Sequence, residues 1–206
     1  MEQELPLLVV ATRNAHKTGE IRAMLAGKWE VKDLSDYPQA PPVDETGVTF
    51  TENATLKALS ASRCIPGVLL ADDSGLEIDY LDGAPGIYSA RFAGEDTSYD
   101  IKNRILLDKL EGVPDEERTA RFVCAISAVF PDGTSETVRG TIEGRIAYEI
   151  QGENGFGYDP IFYVPEYGCT TAEMPPEQKN ELSHRGNALR AIRKIMEDKI
   201  RERENA

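Results

Sequence analysis

Two periods of apolar patterning alternate along the chain, and the switches between them mark out its elements. Leu5 to Ala11 is a nearly unbroken apolar run, the pattern of a buried strand, and it stops at the polar stretch Thr12 to Lys17. Ile21, Met24 and Leu25 then share one helical face, with Gly27 as the stop. Trp29 to Leu34 reads as a short second strand, and Ser35 to Val48, with Pro38, Pro41, Pro42 and Gly47, as a loop. Thr49-Phe50-Thr51-Glu52 has the form of a capping box and opens a helix to about Cys64. On that helix Asn53 and Lys57 stand one turn apart on a shared face.

The centre of the pattern is Val68 to Leu76. Its apolar run stops at Asp72-Asp73, followed by Ser74-Gly75 and a new alternating run, Leu76 to Tyr80. Read as a strand, it places both aspartates at its carboxyl end, where ligands bind in open α/β sheets. Neighbouring strand residues point to opposite faces, so one aspartate is expected to lead the chemistry. The same residues also suit an ordinary strand-to-turn exit.

Gly83 to Arg91 is an irregular path. Ser98 to Leu110 reads as an amphipathic helix with Ile101, Ile105, Leu106 and Leu110 apolar and Gly112 as its stop. Arg118 to Phe130 is strand-like, Pro131 to Thr134 a hairpin turn, and Ser135 to Ile142 and Gly144 to Ile150 two further strands. A Gly-rich loop, Gly152 to Pro160, sets Phe156 between two glycines. Pro175-Pro176 suits a helix start. The last helix carries Leu189, Ile192, Ile195, Met196 and Ile200, and its charged end, Arg201 to Ala206, is expected to fray. Hairpins in the second half and strand–helix alternation in the first predict an α/β fold with a mixed twisted sheet and flanking helices. No repeat or long linker divides the chain, so residues 1–206 are expected to form one domain.

Composition narrows the function. A net charge of −13 repels nucleic-acid backbones and anionic membranes, so neither is an expected partner. No run approaches the about 18 apolar residues of a membrane span. Met1 to Glu4 has no basic region of the secretory kind. Three cysteines without CxxC spacing fit a reducing compartment, and a cytoplasmic location is expected. Any phosphate-bearing ligand would need cations gathered locally. The strand–loop–helix opening offers helix N-terminal amides for an anion, with Asn14 and Lys17 nearby, although no GxxxxGK[ST] loop is present.

Six stretches carry a resemblance to a known family: Ala11 to Lys17, Glu45 to Ala58, Ala71 to Asp79, Gly83 to Arg91, Gly155 to Phe162 and Ser183 to Leu189. Together they resemble the inosine/xanthosine triphosphate pyrophosphatases, in that family's order and over nearly the whole chain. The resemblance implies a Mg2+-dependent enzyme. It would convert ITP, dITP and XTP to the monophosphate and pyrophosphate and so clear deaminated purines from the nucleotide pool. It also implies two lobes around a long substrate cleft and a homodimer.

By the same resemblance, Asp73 is the general base and a metal contact, with Glu45 the second metal-linked carboxylate. Thr12, Arg13, Asn14, Ala15, His16 and Lys17 would hold the phosphates with Lys57, Ser74 and Arg91. Phe156 would stack on the base within a substrate loop that includes Gly157, Tyr158 and Asp159. Lys179, His184 and Arg185 would read the base edge, where a donor rewards a 6-oxo purine over adenine. Arg13 stands where many relatives carry a small residue or Asn. Two alternatives stay open from the residues: a Maf-type pyrophosphatase acting on pyrimidine or modified nucleotides, and a nucleotide sensor without turnover.

Overall fold

A computed structural model describes residues 5–204, with side chains to residue 202. Met1 to Glu4, whose lack of a basic region was noted above, and the last two residues of the charged end lie outside the described residues. Seven strands form one sheet in the order β2-β1-β3-β4-β5-β6-β7. The strands are β1 (Leu7–Val10), β2 (Glu30–Asp33), β3 (Val68–Ile78), β4 (Thr119–Val129), β5 (Ser135–Ile146), β6 (Phe162–Val164) and β7 (Cys169–Thr170). The helices are α1 (Ala15–Leu25), α2 (Phe50–Ser62), α3 (Tyr99–Lys109), α4 (Pro176–Leu182) and α5 (His184–Glu204). β1 pairs in parallel with β2 and β3, while β6 pairs antiparallel with β5 and β7, so the sheet is mixed. Among the described residues no helix is long and apolar enough to cross a membrane.

The chain divides into two compact units. The first comprises residues up to Asp73, Cys124–Gly140 and the chain from Arg185 onward; the second comprises Ser74–Val123 and Thr141–His184. Within the first unit, the alternation of β3 separates two cores. Val68 and Leu70 pack with Ile21 and Leu25 of α1 and with Leu189, Ile192 and Met196 of α5. Leu69 and Ala71 pack with Ala58 and Ala61 of α2. Asp72 continues the first face and Asp73 the second, because side chains alternate along a strand. The second unit has its own core, with Leu76, Ile78, Leu106, Leu110, Phe162 and Met174 fully buried.

Several sequence expectations change here. β3 does not end at the aspartates; it runs unbroken through Asp72-Asp73-Ser74-Gly75 to Ile78. What ends is its parallel neighbour: β1 pairs with β3 only as far as Val10 opposite Leu70. The aspartates thus lie just past the end of β1, inside β3, where their charges are met by half-buried Lys17 and Lys57 and by buried Arg185. The buried face of α3 is Lys102, Asn103 and Leu106, while Ile101 is exposed, because Lys102 and Asn103 find carbonyl partners in the interior. The two strands expected around Gly144 are one, β5. A Cβ at Gly144 would lie 2.5 Å from the Tyr163 carbonyl oxygen. That glycine permits close approach of β6 rather than a break.

Candidate active site

Each aspartate of β3 meets its own set of partners. On the α2 side, Lys57 Nζ donates to Asp73 Oδ1 at 2.7 Å and to Glu45 Oε1 at 3.0 Å. The lysine therefore bridges two carboxylates that sequence places 28 residues apart (73 − 45). Asp73 Oδ2 is buried and has no hydrogen-bond partner. Burial raises the Asp73 pKa above its usual range, against the opposing pull of Lys57. Burial also works against the Lys57 ammonium, but Asp73 and Glu45 outweigh it and raise its pKa.

On the other face, Asp72 lies inside a buried ionic network. Lys17 of α1 pairs with Asp72 Oδ1. Arg185 Nε and Cys124 Sγ both donate to Asp72 Oδ2 at 2.9 Å. Arg185 reaches Glu20 of α1 through its other end at 2.6 Å. Burial alone would raise the Asp72 pKa, but the charges of Arg185 and Lys17 outweigh it and hold the carboxyl well below its usual range. Burial, reinforced by Asp72, pushes the Cys124 thiol well up, which leaves it a neutral donor. Two adjacent aspartates are thus shifted in opposite directions: Asp72 is tied into an ionic network, and Asp73 keeps one buried oxygen without a hydrogen-bond partner.

The first loop is also bonded internally. Asn14 caps α1, its Oδ1 accepting from the amides of His16 and Lys17 at 3.0 and 3.2 Å. Thr12 Oγ1 accepts from the Asn14 amide at 3.1 Å. Arg13 donates to the Ala40 carbonyl at 2.8 Å. Ala15 and His16 are exposed in the first turn.

The remaining candidates belong to the second unit. Ser74 is half-buried in β3. The Asp159 carboxylate is buried and organises the Gly-rich loop: it accepts from the Phe156 amide at 2.7 Å, Lys179 Nζ at 2.5 Å and Thr171 Oγ1 at 2.8 Å. Gly155, at φ +73, leaves no room for a Cβ against Asp159. Lys179 Nζ lies 4.9 Å from the ring centre of half-buried Phe156. Tyr158 is a core residue whose hydroxyl donates to the Ser89 carbonyl at 2.7 Å. The Gly157 carbonyl accepts from Asn103 at 3.1 Å. His184 stacks on Phe122, with ring centres 4.8 Å apart.

The structure therefore brings Glu45, Lys57 and Asp73 together, and Lys17, Asp72 and Arg185 together. Arg185 faces two carboxylates, which differs from the base-reading role the resemblance implied. Glu20 and Cys124 went unread: nothing in the spacing signals partners such as Glu20 and Arg185, 165 residues apart. Among the described residues, no three His, Cys, Asp or Glu side chains gather as a ready-made metal cage.

A model of the Ham1 family matches residues 8–195. A dITP/XTP pyrophosphatase of Exiguobacterium sibiricum is 53% identical over 90% of this chain and 94% of its own. One of Geobacillus kaustophilus is 53% identical over 88% and 90%. The solved structure of the Staphylococcus aureus Ham1 protein superposes with a TM-score of 0.83 at 42% identity, covering 94% of this chain and 99% of that one. With the family profile spanning both units and such relatives alike along nearly their whole length, the chain belongs to the Ham1 family.

Proposed function

We propose that the chain hydrolyses the deaminated purine nucleotides ITP, dITP and XTP to the monophosphate and pyrophosphate, the whole chain acting as one catalytic domain. The name dITP/XTP pyrophosphatase borne by its relatives supports this reaction. The observation that carries the mechanism is the Lys57 bridge between Glu45 and Asp73, with Asp73 Oδ2 buried and unpartnered. This donor set fits a hard divalent cation. It offers carboxylate oxygen, and Mg2+ is commonly held by one or two carboxylates together with substrate phosphates. Glu45 and Asp73 are the residues that would hold Mg2+. When bound, the ion would neutralise charge on the triphosphate and acidify water.

Asp73 takes the proton of the attacking water at Oδ2, while Lys57 holds Oδ1 in place. The water oxygen bonds to the α-phosphorus, the bridging bond to the β-phosphate breaks, and pyrophosphate leaves in line. Geometry suits Asp73 to this task, since Lys57 fixes one carboxylate oxygen and the other has no hydrogen-bond partner. Thr12, Asn14 and Lys17, with Lys57 and Ser74, contribute side-chain donors to the phosphates. The His16 and Lys17 amides join them only where phosphate oxygen replaces Asn14 Oδ1. Phe156 stacks on the purine, with Lys179 beside its ring, and Lys179 and His184 supply donors to the base edge. Arg185 contributes through Asp72, whose charge it balances.

The test is product analysis with Mg2+ and, separately, ITP, XTP, GTP, ATP and dTTP. Monophosphate and pyrophosphate from ITP and XTP, with little from the others, is the expected result. Diphosphate with orthophosphate would place attack at the γ-phosphorus and overturn the mechanism; preference for dTTP would overturn the substrate class. The enzyme is proposed to act in the cytoplasm as a homodimer, without nucleic-acid or membrane partners. Light scattering should then give about twice the 22.7 kDa chain mass, and 22.7 kDa itself would overturn the dimer.

A further inference from the structure

We propose that Asn53 is a positioning residue for Glu45, fixing the loop of residues 44–48 so that the Glu45 carboxylate meets Lys57 beside Asp73. The proposal rests on the reading above, in which Glu45 is a metal-linked carboxylate. Asn53 is 0% exposed in the first turn of α2, and its Oδ1 accepts from the Gly47 amide at 2.8 Å. The neighbouring Glu52 accepts from the Val48 amide at 2.7 Å. Two consecutive loop amides are thus held by two consecutive helix side chains. A further bond from the Thr46 amide to the Asp44 carbonyl, at 3.0 Å, closes the turn around Glu45.

Gly47 is shaped for this grip. A Cβ there would lie 2.7 Å from Asn53 Oδ1 and 2.7 Å from Glu52 Cβ, inside any normal contact. The orientation of the Asn53 amide follows as well: only its oxygen can face an N–H donor. Its Nδ2 is buried without a partner. A buried donor left unpaired costs stability that an apolar side chain of similar volume would not. The gain from asparagine here is therefore at the loop. Asn53 and Lys57, one turn apart on α2, act on the same short segment, one on its backbone and the other on the Glu45 carboxylate.

Mn2+ binding, followed by loss of the free-ion EPR signal in the presence of pyrophosphate, tests this without turnover. Asn53→Leu keeps the branching and the number of side-chain heavy atoms and removes the acceptor; Gly47→Ala disturbs the same contact from the loop side and carries the test if the first variant does not fold. Each is expected to bind Mn2+ about 10-fold more weakly, the scale seen when a ligand's supporting partner is lost. In turnover, the Mg2+ requirement should rise by a similar factor with little change in KM for ITP. Glu45→Gln separates the two levels of the argument. Unchanged Mn2+ affinity in that variant would overturn the metal role of Glu45 itself. Weakened binding in Glu45→Gln but wild-type binding in both loop variants would overturn the positioning role alone. The double variant Glu45→Gln/Asn53→Leu should bind no more weakly than Glu45→Gln, and a further additive loss would show that Asn53 does not act through Glu45.

Discussion

At the scale of single residues, the informative contrast is between Asp72 and Asp73, adjacent in sequence and opposite in electrostatics. Asp73→Asn removes the proposed base with almost no change in volume. Turnover should fall about 10²–10⁴-fold, the range for loss of a general base, while circular dichroism shows an intact fold; near-wild-type pyrophosphate release would remove Asp73 from the mechanism. Asp72→Asn should act on stability instead. It leaves Lys17 and Arg185 facing a neutral amide, and breaking a buried ion pair costs about 3–5 kcal/mol. The sign of the pH effect follows from the depressed pKa of Asp72. Its contribution is present in full above the unfolded carboxylate value of about 4. It is lost as pH falls through the lower folded value. Asp73, with a raised pKa, contributes in the opposite sense: it lowers stability as pH rises from the unfolded value through its own. Urea melts from neutral pH downward should show an acid-side loss in the wild type that is smaller in Asp72→Asn. Equal slopes in the two proteins would assign that loss to other carboxylates.

At the scale of elements, glycines and buried polar groups decide where strands run and loops bend. Gly144 inside β5 is the clearest case, since a side chain there meets the Tyr163 backbone and the Phe162 ring. Gly144→Val should lower stability by about 1–3 kcal/mol, the cost of overpacking a tight site, and a thermal melt equal to wild type would show that β6 yields freely. Arg118 illustrates the same principle with a charge: buried at the start of β4, it donates to the Ile146, Leu110 and Ala147 carbonyls at 2.7–2.8 Å. Helix ends were legible from sequence. Thr49 and Ser98 cap α2 and α3 by accepting from the amides three residues on. The buried face of α3 was not legible, because hydrophobic periodicity ranks Ile101 above Lys102 and carries no signal for carbonyls waiting in the interior.

At the scale of the whole molecule, the net charge of −13 sets a background of self-repulsion that the local cation clusters do not remove. Raising salt from about 0.01 M to about 0.15 M shortens the screening length from about 30 Å to about 8 Å. The melting temperature should rise over that range. A fall would mean that exposed ion pairs, such as the Arg121 cluster with Glu77, Asp79 and Glu143, outweigh the repulsion.

The sequence by itself determined the fold class, the chain order of the elements up to β5 and the residues proposed for the chemistry; the short strands β6 and β7 carry too few residues to show a period. Hydrophobic period, caps and turn residues are local properties, and six short motifs in order fix a family. Only the tertiary structure decided how those residues are partnered. Whether β3 stops at Asp72-Asp73 or runs through them depends on cations delivered by α1, α2 and α5, from positions far apart in the chain. The same long-range meeting ties Asp72 to Arg185 and Glu20, leaves an oxygen of Asp73 unpartnered, and sets Asn53 against Gly47. Burial and charge are summed over space rather than along the chain, so two neighbouring and chemically identical side chains acquire opposite pKa shifts only once the fold has placed their partners.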